Sequence, residues 1–175
     1  MRRLANVFAL ISVLTLTTGF AAQAAEQPDQ PDVPAEIRAP AGFERTLVSV
    51  GHGTQVYDCV DGAWKLREPR AALVDEQSHD VLAIHFLGPT WQSTQDGSGV
   101  VGAVQARQEA PDAQHDIPWL LLQSTSNMGP GVLGEVRYIQ RLKTKGGVAP
   151  ARTCEAGETA SIPYEATYAF WSPAR

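Results

Sequence analysis

Two cysteines in 175 residues, no cluster of basic side chains, and no long apolar run beyond the N-terminus: each shortage removes a class of protein. The 14 basic and 19 acidic residues leave a net charge of −5. An acidic chain without a basic patch has no electrostatic footprint for nucleic acid or anionic lipid. Neither His-x-His nor His-Glu-x-x-His occurs, so no metal site is assigned. A Gly-x-Ser-x-Gly elbow is also missing, and no Gly-x-Gly-x-x-Gly follows a strand within a β-α-β alternation, so no residue is given a catalytic role and no cofactor is expected. No window sustains a 3.6-residue period over three turns, which excludes a helical protein.

What is present begins with Met1-Arg2-Arg3, a charge-free run from Leu4 to Phe20, and Ala22-Gln23-Ala24. That is the pattern of a secretory signal peptide, expected over residues 1–25. Its removal takes the net charge to −7, with 12 basic against 19 acidic residues. No membrane span is expected afterwards, and the destination is periplasmic or secreted. In an oxidising compartment Cys59 and Cys154 are expected to form one structural disulfide. Residues 26–42 hold several prolines and acidic side chains and read as a leader. Residues 43–175 read as a single all-β domain, and the oligomeric state stays open.

Strands are expected at 44–50, 55–60, 63–67, 71–74, 81–87, 99–107, 117–125, 132–142 and 161–171. Roughly nine short strands with Gly/Pro turns indicate a sandwich or barrel. Gly51-His52-Gly53 reads as a turn. Asp61-Gly62 is a strong two-residue hairpin signal. It sets Val60 opposite Ala63, Cys59 opposite Trp64, Asp58 opposite Lys65 and Tyr57 opposite Leu66. Tyr57, Cys59, Trp64 and Leu66 then form an expected core face.

The chain resembles the bacterial and fungal domain of unknown function 3455 family. The likeness is carried by Pro34-Ala35-Glu36-Ile37-Arg38-Ala39-Pro40-Ala41-Gly42-Phe43, Gly53-Thr54-Gln55-Val56-Tyr57-Asp58-Cys59, Gly88-Pro89-Thr90-Trp91 with Asp96-Gly97-Ser98, Ile117-Pro118-Trp119-Leu120-Leu121-Leu122, and Tyr138-Ile139-Gln140-Arg141 with Gly146-Gly147-Val148-Ala149-Pro150 and Cys154. The resemblance implies a secreted or periplasmic domain with structural cysteines. It implies no activity, and it suggests that Pro34 to Pro40 packs on the domain.

Seven residues break the apolar pattern in ways that suit a binding site. His85 lies mid-strand between Ala83 and Leu87, as a satisfied core histidine or the polar floor of a pocket. Trp91 follows Gly-Pro-Thr on a connection, and Trp119 follows Ile-Pro at a strand start. Such aromatics line ligand sites or plug the ends of β folds. Asp96 and Ser98 sit in a turn. Gln140 shares a face with Tyr138 and Leu142, so it must be bonded inside or line a cavity. Arg141 lies on the opposite face and suits an anion or plain solvation. The expectation is an exported protein that binds a small molecule or an envelope component at a mouth near these seven residues. A hydrolase with His85 as base and Asp96 as its orienter is the alternative. A structural or interaction protein is the third.

Overall fold

The computed structural model describes residue 30 and residues 32–175; the expected signal segment lies outside them. Eight strands form one closed, antiparallel, up-and-down barrel. They are β1 (Phe43–Val60), β2 (Ala63–Val74), β3 (Val81–Phe86), β4 (Thr90–Ser93), β5 (Gly99–Gln108), β6 (Trp119–Met128), β7 (Tyr138–Gly146) and β8 (Thr159–Pro173). Each pairs with the next, and β1 pairs with β8 to close the ring. Closure removes the sheet edges that would otherwise invite aggregation.

The hairpin register at Asp61-Gly62 is the expected one. Both residues adopt positive φ, 55° and 75°, the demand that makes Asp-Gly suitable there. The eight strands of a closed barrel come close to the roughly nine expected, with some boundaries moved. Gly51-His52-Gly53 continues β1 and makes no turn. A side chain at Gly51 would meet the Tyr168 ring at 2.7 Å, so the glycine makes room for that ring from the adjacent strand β8. The strands expected at 63–67 and 71–74 fuse into β2, which carries Pro69 beside a register shift at Val56/Tyr57. β4 was not expected. Residues 132–135 form turns, and β7 instead starts at Tyr138 and runs on to Gly146.

Alternation then fills the interior. Tyr164, Ala166, Tyr168 and Phe170 of β8 point inward with Leu73, Ala83, Trp91, Val100, Leu122 and Ile139. The expected core face of the first hairpin also needs correcting. Tyr57 is buried, but Cys59 and Trp64 are half-buried and Leu66 is 53% exposed. Beyond Tyr57 the hairpin overruns the barrel and faces a loop instead of a core. That loop is fastened to it by the Cys59–Cys154 disulfide, and Trp64 Nε1 donates to the Arg152 carbonyl at 3.1 Å.

A strap crosses the outside of the barrel. It contains a single 3-10 turn, Ala35–Ile37. Ile37 packs on Leu121 and Leu142, and Ala39 packs on Ala169 and Trp171. Apolar residues therefore cover both faces of β7 and β8. Among the described residues no helix is long and apolar enough to cross a membrane.

Candidate functional site

The barrel is a cup. At one end the loop after β4 and the segment between β6 and β7 form a floor. Asp96 accepts from Ser98 N at 3.0 Å, Ser98 Oγ at 2.6 Å and Val132 N at 2.9 Å. Ser98 Oγ accepts from Leu133 N at 3.0 Å. These donors, Ser98 Oγ first, hold the Asp96 carboxyl well below the usual carboxylate range. Leu133 and Val136, held above this network, are fully buried and seal the end.

Toward the other end lies a cavity of about 450 Å³. That is within the roughly 300–1,000 Å³ typical of small-molecule pockets. Its walls include Leu120, Leu122, Tyr168 and Trp91, and its rim includes Leu66, Pro89 and Val104. Leu66 and Val104 are both more than half exposed, so part of the mouth is apolar.

His85 reaches this space because β3 sets it between Ala71 of β2 and Trp91 of β4. Its ring stacks on Trp91 with centroids 4.2 Å apart and planes 3° from parallel. Tyr168 meets both rings edge-on. His85 Nδ1 lies 2.9 Å from the Thr90 carbonyl, which can only accept, so Nδ1 carries the proton and Nε2 is an acceptor. Burial lowers the His85 pKa to about 3, opposed by the Thr90 bond and assisted by the charge of Arg141. The imidazole is therefore neutral at ordinary pH.

Arg141 enters from β7, opposite Leu120 on one side and Tyr168 on the other. Its Nε and Nη2 donate to the Pro118 carbonyl at 3.2 and 2.9 Å. It forms no salt bridge among the described residues. Burial raises the pKa of Tyr57, Tyr164 and Tyr168, and in each case the Arg141 charge opposes it. Tyr57 instead donates to the Gly147 carbonyl at 2.6 Å.

Two polar side chains on this wall lack partners. Trp91 Nε1 and Gln55 Nε2 are buried with no hydrogen bond, in residues that are each 1% exposed. Gln30 Nε2, Ser49 Oγ and Trp119 Nε1 are also unpartnered but do not line this cavity. Unmade bonds of this kind cost about 1–3 kcal/mol each, so a ligand that makes them is favoured.

Of the seven expected site residues, His85, Trp91 and Arg141 share the cavity. Asp96 and Ser98 lie in the floor network, so His85 has no orienting carboxylate from Asp96. Trp119 and Gln140 face outward under the strap. Gln140 is fully bonded there: its Nε2 donates to Gln30 Oε1 and the Ile37 carbonyl at 2.7 and 2.6 Å, and its Oε1 accepts from Trp171 Nε1 at 2.8 Å. Gln55, Tyr57 and Tyr168 were not singled out from the sequence. Gln55 was open to the test applied to Gln140, a polar side chain alternating with a buried aromatic. Among the described residues no group of three or more His, Cys, Asp or Glu could hold a metal ion.

No curated protein and no solved structure matches the chain. A family model described as a protein of unknown function matches residues 40–172, which span every strand of the barrel. The chain belongs to that family, DUF3455.

Proposed function

We propose that this is an exported binding protein that takes a small, planar, largely apolar molecule into the barrel. The observation that carries the reading is the pair of buried, unpartnered nitrogens, Gln55 Nε2 and Trp91 Nε1, on the wall of an aromatic-lined cavity. The stacked His85–Trp91 pair and the edge of Tyr168 supply flat surfaces of the kind that aromatic rings stack against. Eight-stranded barrels have the diameter to hold one small ligand. The enclosed shape suits a free small molecule better than a polymeric envelope component. The disulfide and the charge-free N-terminal run support export.

The test is a calorimetric titration of the full mature chain with 2-naphthamide, a neutral two-ring probe, repeated with Val104→Trp. Val104 is 56% exposed on the rim, so a larger ring there narrows the mouth without disturbing the core. One-to-one binding, weakened at least fivefold by the substitution at unchanged Tm, is expected. Undetectable binding, or binding indifferent to Val104→Trp, overturns the proposal.

A further inference from the structure

We infer that the ligand carries a single carboxylate, which Arg141 receives inside the cavity. The inference rests on the pocket reading above and adds the chemistry of the ligand. Arg141 is the cation that β7 turns inward, and its partner within the protein is a neutral carbonyl, that of Pro118. Its Nη1 makes no hydrogen bond among the described residues. The other cation on the cavity lining, Arg107, is already paired with Glu109 at 3.0 Å near the mouth. The two carboxylates on the lining, Glu109 and Asp116, are held by Arg107 and by the Gly146 N–H and form no salt bridge with Arg141, so its guanidinium lacks a counter-charge within the protein.

The unpartnered groups around it have the matching polarity. Trp91 Nε1 is a donor only, and Gln55 offers its amide nitrogen as a donor. Tyr168 links Arg141 to Trp91 in space, because it pairs with Arg141 across β7 and β8 and touches the edges of His85 and Trp91. The unpartnered buried groups on this wall are thus donors, and an oxyanion supplies acceptors for them. One guanidinium in an acidic chain matches one negative charge. A phosphate dianion would leave a buried charge uncompensated, which is costly. The His85 Nε2 acceptor is left for an N–H or O–H on the ligand ring.

The experiment compares 2-naphthoate with 2-naphthamide, which has the same shape and no charge, by calorimetry at pH 7. The mature wild-type chain is expected to prefer the acid by about tenfold or more, the scale of a charge-assisted hydrogen bond. Arg141→Met is expected to erase the preference while amide binding persists. Arg141→Lys, which keeps the charge but loses the fork, is expected to retain part of it and serves if the methionine variant unfolds. Equal wild-type affinity for the two probes, or a preference that survives Arg141→Met, overturns the carboxylate while leaving the pocket reading intact. Binding of neither probe overturns both.

Discussion

The two ends of this barrel treat polar groups in opposite ways. At the floor, Asp96, Ser98 and Asn127 bond to neighbouring backbone. Asn127 Nδ2 donates to the Leu133 and Val136 carbonyls, both at 3.0 Å, and its Oδ1 accepts from Ser124 and Arg137. In the upper half, Gln55 and Trp91 keep buried nitrogens without partners, and large apolar side chains stand exposed at the rim. The floor is built to be stable alone. The upper half leaves donors unmade, which the proposed ligand would complete.

Four measurements break or sharpen that contrast. Removing the disulfide with Cys59→Ser should have the largest effect on stability. It frees a 95-residue span, for which chain entropy gives roughly 4–5 kcal/mol as an upper figure, read by urea denaturation. Phe170→Ala at the packed end comes next, at about 3–5 kcal/mol, because the ring is fully buried. A loss under 1 kcal/mol would mean that the packed end is looser than it looks.

The third concerns pH. His85 is neutral in the fold down to about pH 3, whereas the unfolded chain takes up the proton near 6.5. The unfolded state binds more protons between those values, so stability is greatest above pH 6.5 and falls as the pH drops toward 3. The slope is up to about 1.4 kcal/mol per pH unit. His85→Phe, which keeps a ring against Trp91, should flatten that slope; an unchanged slope assigns the acid sensitivity elsewhere. The fourth is a matched pair. Asn127→Leu leaves two floor carbonyls unpartnered and should cost about 1–3 kcal/mol. Gln55→Leu should change stability by no more than about 0.5 kcal/mol, since it removes an unmade bond, yet weaken ligand binding. Equal costs at the two positions would erase the distinction between the ends.

Much of this was legible in the chain because local chemistry and global fold agree. Asp61-Gly62 announced its hairpin because few other pairs take positive φ twice. The alternation of Tyr164, Ala166, Tyr168 and Phe170 marked an inward face that the barrel then used. β7 shows the limit. Its two faces were separated correctly, but their sides were exchanged. Tyr138, Gln140 and Leu142 are apolar-side residues that lie outside, because the strap buries them there. Arg141 sits inside, opposite Tyr168. Periodicity reports which residues share a face and is blind to which face is covered by what. β4 escaped notice because four residues are too few to show a period. Asp96 and Ser98 looked chemical for the reason that they bond so well: short polar side chains that staple turns are the same ones that serve catalysis.

The disulfide carries a consequence for where the site exists at all. Cys154 anchors the loop that supplies Val148 and Ala149 to the cavity lining and the Gly147 carbonyl to Tyr57. Reduction would weaken the whole fold by up to the roughly 4–5 kcal/mol given above and would unfasten one lip of the cup. If the cavity binds as proposed, its entrance is thereby coupled to the redox state of the surroundings.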